Sequence, residues 1–171
     1  MSDDILTPQD GEQENPKTED PGAGFAMPDD SAAYSLAERV SWHILEKKGE
    51  DVVVLDLRGR SDVCDFFVVA TGNSDVHVRA LAKNVQDQLV SAGQKTRGLE
   101  GMNEGRWALL DYFDVVVHVF QTEARDYFSI DRLWGDADRL DIGPQWFAAE
   151  DVAARHPDLK FITAAGSSGT D

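Results

Sequence analysis

The chain has 171 residues, 42% of them hydrophobic, and a formal net charge of −16 at pH 7, which suits one domain with a moderate core. Its single cysteine, Cys64, excludes a disulfide within the chain and fits a reducing compartment. No stretch approaches the ~18 uninterrupted apolar residues of a membrane span, and the N-terminus lacks the basic start and apolar segment of a signal peptide, so the sequence predicts a cytoplasmic protein.

The acidity is concentrated at the two ends of the chain. Residues 1–30 carry nine acids and one base, and residues 135–171 carry seven acids and three bases, whereas residues 31–134 carry sixteen acids and twelve bases. No basic stripe is present that would neutralise phosphates, so little direct nucleic-acid binding is expected. A basic protein partner, by contrast, matches the charge.

The composition predicts three segments. Residues 1–30 are rich in Asp, Glu, Pro and Gly with few large apolar side chains, which predicts a disordered acidic tail. Residues 31–134 carry the regular patterns of a folded domain. Residues 135–171 are predicted to be a C-terminal extension that is partly helical, around Trp146 and Phe147, and then disordered.

The folded domain is predicted to open with a helix and two strands. Ser35 and Glu38 have the spacing of a capping box at the start of the helix, and Gly49 ends it. The run "DVVVLDLRGR" then predicts a strand over residues 52–57, and "CDFFVVAT" predicts a second strand over residues 64–71.

The following elements complete a mixed α and β order. Residues 74–92 are predicted to form a helix with its apolar positions on one face, and a short strand is predicted near residues 95–97. The run "GRWALLDYFDVVVHVF" has the spacing of a β-hairpin with strands 106–110 and 115–120, and a last helix covers residues 123–134. The order predicts a mixed five-stranded sheet with flanking helices, of class α/β or α+β.

The turn "TGNS", residues 71–74, allows two interpretations. A glycine turn before a helix can hold a phosphate on the unpaired N–H groups of the helix N-terminus, or Ser74 or Asn73 can simply cap the helix. Nucleotidyl transfer also needs two acids one residue apart on a nearby strand to hold Mg²⁺. No predicted strand has such a pair, and Asp111 and Asp114 straddle a turn. The structural cap is therefore favoured, and nucleotide binding is the alternative.

Other catalytic arrangements are not indicated. The four histidines show no spacing typical of a metal site, and Cys64 has neither a cysteine partner for zinc nor a neighbouring base. His118, in "VVVHVF", has valines on both sides, so we expect it in a central strand as a residue of the sheet. The residues thus predict no active site, no metal and no cofactor.

Four runs carry a resemblance to a known family. They are "KKGEDVVVLDLRG", "DFFVVATGNSDVHVRALAKNV", "GLEGMNEGRWALLDYFDVVVHVF" and "RDYFSIDRLW", in this order. With them, residues 36–134 resemble the ribosomal silencing factor family, RsfS, also called the iojap or YbeB family. This family is similar in fold to nucleotidyltransferases but lacks their metal-binding acids.

The resemblance implies a docking protein and not an enzyme. Members bind the fourteenth protein of the large ribosomal subunit, block an intersubunit bridge, prevent joining of the small and large subunits and so repress translation. The alternatives are a nucleotide-binding or nucleotidyltransferase enzyme that uses the turn from Gly72 to Ser74, and an assembly factor that visits the same surface of the large subunit. A homodimer is left open.

The resemblance also implies where the docking site lies. Such docking needs exposed aromatic anchors with a polar or acidic rim. Trp107 matches the tryptophan of the family at this interface, and Tyr112 falls where the family places a turn residue at the contact. A place for Trp107 in the core is the alternative. The predicted acidic rim consists of Glu100, Glu104, Asp111 and Asp114.

One position departs from the family pattern. The family usually reads D-x-G-D at the hairpin turn, where this chain has Phe113 in place of the glycine. If this position needs a positive φ, a phenylalanine there is strained by about a kcal/mol or more. Either the turn differs, or Phe113 is exposed as an added contact.

Overall fold

A six-stranded mixed sheet organises residues 32–159, the part of the chain that the computed structural model describes. The strands lie in the order β3-β4-β5-β2-β1-β6, in which β2 and β5 are parallel and the other neighbours are antiparallel. The strands are β1 (Glu50–Asp56), β2 (Phe66–Gly72), β3 (Gly98–Glu100), β4 (Trp107–Asp111), β5 (Val115–Gln121) and β6 (Asp138–Asp141). The predicted class is therefore confirmed.

Helices cover the two faces of this sheet unequally. They are α1 (Ala32–Leu45), α2 (Asp75–Ser91), α3 (Thr122–Phe128), α4 (Ile130–Leu133) and α5 (Glu150–Arg155), with a 3-10 helix at Pro144–Ala148. The long helices α1 and α2 pack on one face with the larger core cluster, and the short helices α3 and α4 lie on the other face with a smaller one. None of these helices, within residues 32–159, could cross a membrane.

Alternation along the strands sends side chains to these two faces. In β5, Val115, Val117 and Val119 join the cluster under α1 and α2, whereas Val116 and Phe120 join the cluster on the opposite face. Both faces of β5 are apolar because it lies between β4 and β2 in the middle of the sheet. The face that carries α3 and α4 is called the open face below.

The sheet has one strand more than the sequence predicted. The sixth strand, β6, pairs with β1 and sets Leu140 opposite Val54. Its sequence, "DRLD", buries only Leu140, so it has no run of apolar residues that would predict a strand. The short strand expected near residues 95–97 lies at Gly98–Glu100 instead.

Two predicted helix boundaries are also wrong. The helix expected over residues 123–134 breaks at Ser129, whose φ of 51° is left-handed, and so forms α3 and α4. The capping box is wrong as well, because Ser35 lies inside α1 and Glu38 is buried.

Glu38 instead fastens the C-terminal part of the described chain to α1. Its carboxylate, 1% exposed, accepts hydrogen bonds from Trp146 Nε1 (3.0 Å), Arg155 Nε (2.9 Å) and Arg155 Nη2 (2.7 Å), and lies 3.0 Å from His156 Nε2. Burial alone would raise the pKa of this carboxyl, but the hydrogen bonds from His156, Arg155 and Trp146 hold it below its usual value. The segment after β6 thus packs on the same domain. The predicted disorder of residues 1–30 and of the chain end lies outside the described residues.

Candidate partner-binding site

Trp107 begins β4 on the open face of the sheet. In this strand Ala108 and Leu110 point under the long helices, so Trp107 and Leu109 point the opposite way. The indole is half-buried, with its ring centroid 4.9 Å from that of Phe120 and 4.6 Å from that of Phe128. Trp107 is thus packed on one side and accessible on the other.

Neighbouring rings extend Trp107 into a continuous surface. Phe128 is 40% exposed, and Tyr127, whose ring centroid lies 5.0 Å from that of Phe128, is 77% exposed. We call Trp107, Tyr127 and Phe128 the aromatic patch; the buried rings of Phe120 and His118 lie beneath it. The short helix α3 buries only Ala124 and leaves Phe128 at the surface.

His118 anchors the underside of the aromatic patch. Its Nδ1 accepts a hydrogen bond from Trp107 Nε1 at 3.1 Å, which places the proton of the neutral ring on Nε2. This Nε2 is buried and has no hydrogen-bond partner among the described residues. Burial lowers the pKa of His118 to about 4, an effect that Asp131 partly opposes. The predicted central position in the sheet is confirmed, but only one of the two ring nitrogens is satisfied.

The predicted acids lie along the hairpin and beside it. Asp111 is half-buried, and its carboxylate accepts hydrogen bonds from Arg97 Nη2 (3.0 Å) and from the backbone N–H of Phe113 (2.9 Å). Asp114 is exposed at the hairpin tip. Glu100 is exposed and lies directly opposite Leu109, which places it on the open face.

The loop between β3 and β4 carries the last predicted acid and is closely packed at Gly101. Glu104 is exposed in the loop between β3 and β4. The same loop contains Gly101, with φ +85°, where an added Cβ would lie 1.9 Å from the carbonyl oxygen of Trp107. Gly101 therefore needs both its conformation and its small size to let the chain enter β4 at Trp107.

The expectation that Tyr112 is exposed is wrong. Its side chain is only 4% exposed and belongs to the core under α1 and α2, because it lies two residues beyond Leu110 on the same face. Its hydroxyl has no hydrogen-bond partner among the described residues, and burial raises its pKa to about 12. The exposed aromatic residue of the turn is its neighbour Phe113.

In the glycine turn before α2, side chains of the protein accept the hydrogen bonds of the backbone N–H groups. Ser74 Oγ accepts a hydrogen bond from the backbone N–H of His77 (3.0 Å), so the predicted cap is confirmed. His77 Nδ1 in turn accepts from the N–H of Asn73 (2.9 Å). Gly72 packs so closely on α2 that an added Cβ would lie 2.9 Å from Val78 Cγ2. This glycine serves helix-to-strand packing.

The described residues supply no group of carboxylates, histidines or cysteines that could hold a metal ion. An open cleft of about 800 Å³ lies at the carboxyl ends of β2 and β6. The guanidinium of Arg125 on its wall is already bonded to Asp131, to Thr71 Oγ1 and to the carbonyl of Asp51. The cleft is therefore built around a structural ion pair.

Comparison with known proteins identifies the family of this chain. The family described as "Ribosomal silencing factor during starvation" matches residues 30–166. The chain belongs to this family. Ribosomal silencing factor RsfS of Bacillus subtilis is 43% identical over 97 residues, which make up 57% of this chain and 82% of that protein. RsfS of Chromobacterium violaceum is 44% identical over 88 residues, 52% of this chain and 72% of that protein.

Solved structures support the fold of this family member. A crystal structure of a Chromobacterium violaceum protein has 37% sequence identity and a TM-score of 0.60, and the match covers 61% of this chain and 88% of that chain. A Bacillus halodurans protein has 35% identity and a TM-score of 0.54 over 64% of this chain and 96% of that chain. The similarity also reaches an organelle protein, "Protein Iojap-related, mitochondrial" of Arabidopsis thaliana, 33% identical over 99 residues, 53% of this chain and 52% of that protein.

Proposed function

We propose that this chain binds the large ribosomal subunit through its fourteenth protein, blocks an intersubunit bridge, keeps the subunits apart and so represses translation in the cytoplasm. Membership of the ribosomal silencing factor family supports an action on ribosomes. The activity is a steric block without a covalent step. A homodimer stays a prediction.

The observation that carries this proposal is the aromatic patch on the open face. Exposed aromatic rings are enriched in the centres of protein interfaces because they bury a large area at a low cost in side-chain entropy. The side chains of Tyr127 and Phe128 contribute little to the core of the monomer, since α3 buries only Ala124. A partner that covers them would remove this apolar area from water.

The charges beside the patch favour a basic protein as this partner. Glu100 and Asp111 lie on the same face as Trp107, and Asp114 and Glu104 are exposed at the two ends of β4. Ribosomal proteins are generally basic, so this rim would speed their association and disfavour acidic partners. The overall charge of −16 acts in the same direction.

The enzyme alternative finds no support in the same region. The N–H groups of Asn73 and His77 already donate to side-chain acceptors. The Asp111 carboxylate already accepts hydrogen bonds from the Arg97 guanidinium and from the backbone N–H of Phe113. The relatives are named as silencing factors. The non-enzymatic function remains our prediction.

The test is truncation of the central aromatic residue. If Trp107 is a binding anchor, Trp107→Ala should weaken binding to purified large subunits by roughly 2 kcal/mol, which is about thirtyfold. Because its indole is half-buried, we expect the variant to remain folded at 25 °C and to lose less stability than the ~3–5 kcal/mol of a core tryptophan. Binding would be measured by co-sedimentation and stability by urea unfolding.

A second tryptophan provides a matched control. Trp146 is also half-buried but donates to Glu38 on the opposite side of the sheet. Trp146→Ala should therefore lower stability and leave the affinity for large subunits unchanged. A folded Trp107→Ala protein that still prevents subunit joining at wild-type concentrations would refute the assignment.

A further inference from the structure

Phe113 occupies a backbone conformation that disfavours it. Its φ is 71°, and the N–H of Asp114 donates to the carbonyl of Tyr112 at 2.9 Å across it, which makes a tight turn. A left-handed conformation brings Cβ close to the backbone, so residues other than glycine, asparagine and aspartate are uncommon there. Glycine would adopt this turn without strain.

In the folded monomer, burial of the Phe113 side chain does little to offset this strain. The side chain of Phe113 is 57% exposed, so it contributes little to the core. Among residues 32–159, the other non-glycine residues with positive φ are Lys48, Asp51 and Ser129, all of which are polar. A strained and exposed aromatic residue is typical of a position that is kept for contact with another molecule.

The ring is nevertheless held in a fixed place. The Asp111 carboxylate accepts from the Phe113 N–H through Oδ1 (2.9 Å) and from Arg97 Nη2 through Oδ2 (3.0 Å). The Arg97 guanidinium lies over the Phe113 ring, 4.3 Å from its centroid. One carboxylate thus fixes both the turn and the cation that stacks on the ring. A fixed side chain loses less entropy on binding than a free one.

The surroundings of the ring favour a basic partner. Asp114 is exposed beside Phe113, and its carbonyl accepts from the backbone N–H of Asp65 at 2.8 Å, so both carboxylate residues adjoin the turn. Together with Asp111 they outnumber Arg97, the cation that stacks on the ring. The tip is separate from the aromatic patch, since β4 runs from Trp107 to Asp111, roughly 14 Å at ~3.4 Å per residue.

We propose that Phe113, stacked on Arg97 at the acidic hairpin tip, is a second docking element that contacts a basic protein surface about one strand length away from Trp107. The inference rests on the proposed function, because the partner is the ribosomal protein surface that the aromatic patch also meets. The Phe113 side chain adds to the contact with the partner, and it is also the cause of the strain in the turn. Removing it should therefore raise stability and lower affinity together.

The experiment measures both quantities on the full chain. Phe113→Gly should raise the urea midpoint of unfolding and weaken binding to purified large subunits about tenfold. Phe113→Tyr, which keeps the ring, should bind within about twofold of wild type. Lys48→Gly is the matched control, since Lys48 is exposed with φ 68° at the end of α1, and it should gain stability without any change in affinity.

The outcomes separate this inference from the function on which it rests. If Trp107→Ala weakens binding and Phe113→Gly binds like wild type, the second docking element is refuted while the proposed function stands. If neither variant weakens binding, the proposed function fails and the inference fails with it. Phe113→Gly that is less stable than wild type would refute the strain on which the inference depends.

Discussion

Replacing His118 should flatten the dependence of stability on pH. The side chain is buried beneath the aromatic patch, and its pKa of about 4 lies well below the 6.5 of an ordinary histidine. Between these two values the unfolded chain binds a proton that the folded chain does not. The free energy of unfolding must therefore fall as the pH is lowered through this window, and the contribution is fully present only above pH 6.5.

The magnitude follows from the pKa difference. One pKa unit corresponds to about 1.4 kcal/mol, so complete titration of His118 corresponds to roughly 3 kcal/mol, of which about 2 kcal/mol is lost between pH 7 and pH 5. The carboxyls of Glu38 and Asp131 also have lowered pKa values, but they titrate below their ordinary values of 4.5 and 3.8. The interval from pH 7 to pH 5 therefore isolates the histidines from these acids.

The assay is urea unfolding at several pH values for wild type and His118→Phe. The variant keeps an aromatic ring next to Phe120 and Phe67 but cannot be protonated, so the loss of stability between pH 7 and pH 5 should be smaller by about 2 kcal/mol. Trp107→Phe is the control. It removes the hydrogen bond to His118 Nδ1 but preserves most of the burial that lowers the pKa of His118, so its pH dependence should resemble that of wild type. Equal pH dependence in wild type and His118→Phe would refute the reasoning.

Two further predictions concern the framework of the fold. Glu38→Gln should cost about 2–3 kcal/mol at pH 7 in urea unfolding, because Arg155 loses its buried charge partner but keeps Asp151 at 3.3 Å; a change below ~0.5 kcal/mol would contradict this. Ser74→Ala should cost about 1 kcal/mol through loss of the helix cap, and calorimetry should detect no micromolar binding of MgATP or MgCTP to either protein. Micromolar binding by wild type that Ser74→Ala abolishes would instead favour the enzyme alternative.

The elements that the sequence predicted well are those with strong local patterns. The runs "DVVVLD" and "DVVVHVF" have the β-branched and aromatic residues of buried strands, and they form β1 and β5. The helix after the glycine turn begins where Ser74 can cap it, which is a local hydrogen bond between residues three apart. Such signals depend on neighbours in the chain, so they can be read without the fold.

The errors occur where distant residues decide the structure. Glu38 looked like a capping residue because its real partners, Arg155 and His156, lie more than a hundred residues away in the chain. β6 forms because the edge of β1 is available to it, and its own sequence contributes one buried leucine. Tyr112 was misplaced because the hairpin loop is so tight that alternation continues through it and turns the side chain into the core.

Three features on the β4–β5 hairpin or on the helix that follows it reduce the stability of the monomer. His118 buries an N–H without a partner, Phe113 strains the turn, and Tyr127 exposes an aromatic ring. The opposite face, under α1 and α2, is covered by long helices. Substitutions that relieve them are available at each position. A partner that covers this hairpin and α3 would account for keeping all three, which is the arrangement that the Trp107 and Phe113 variants test.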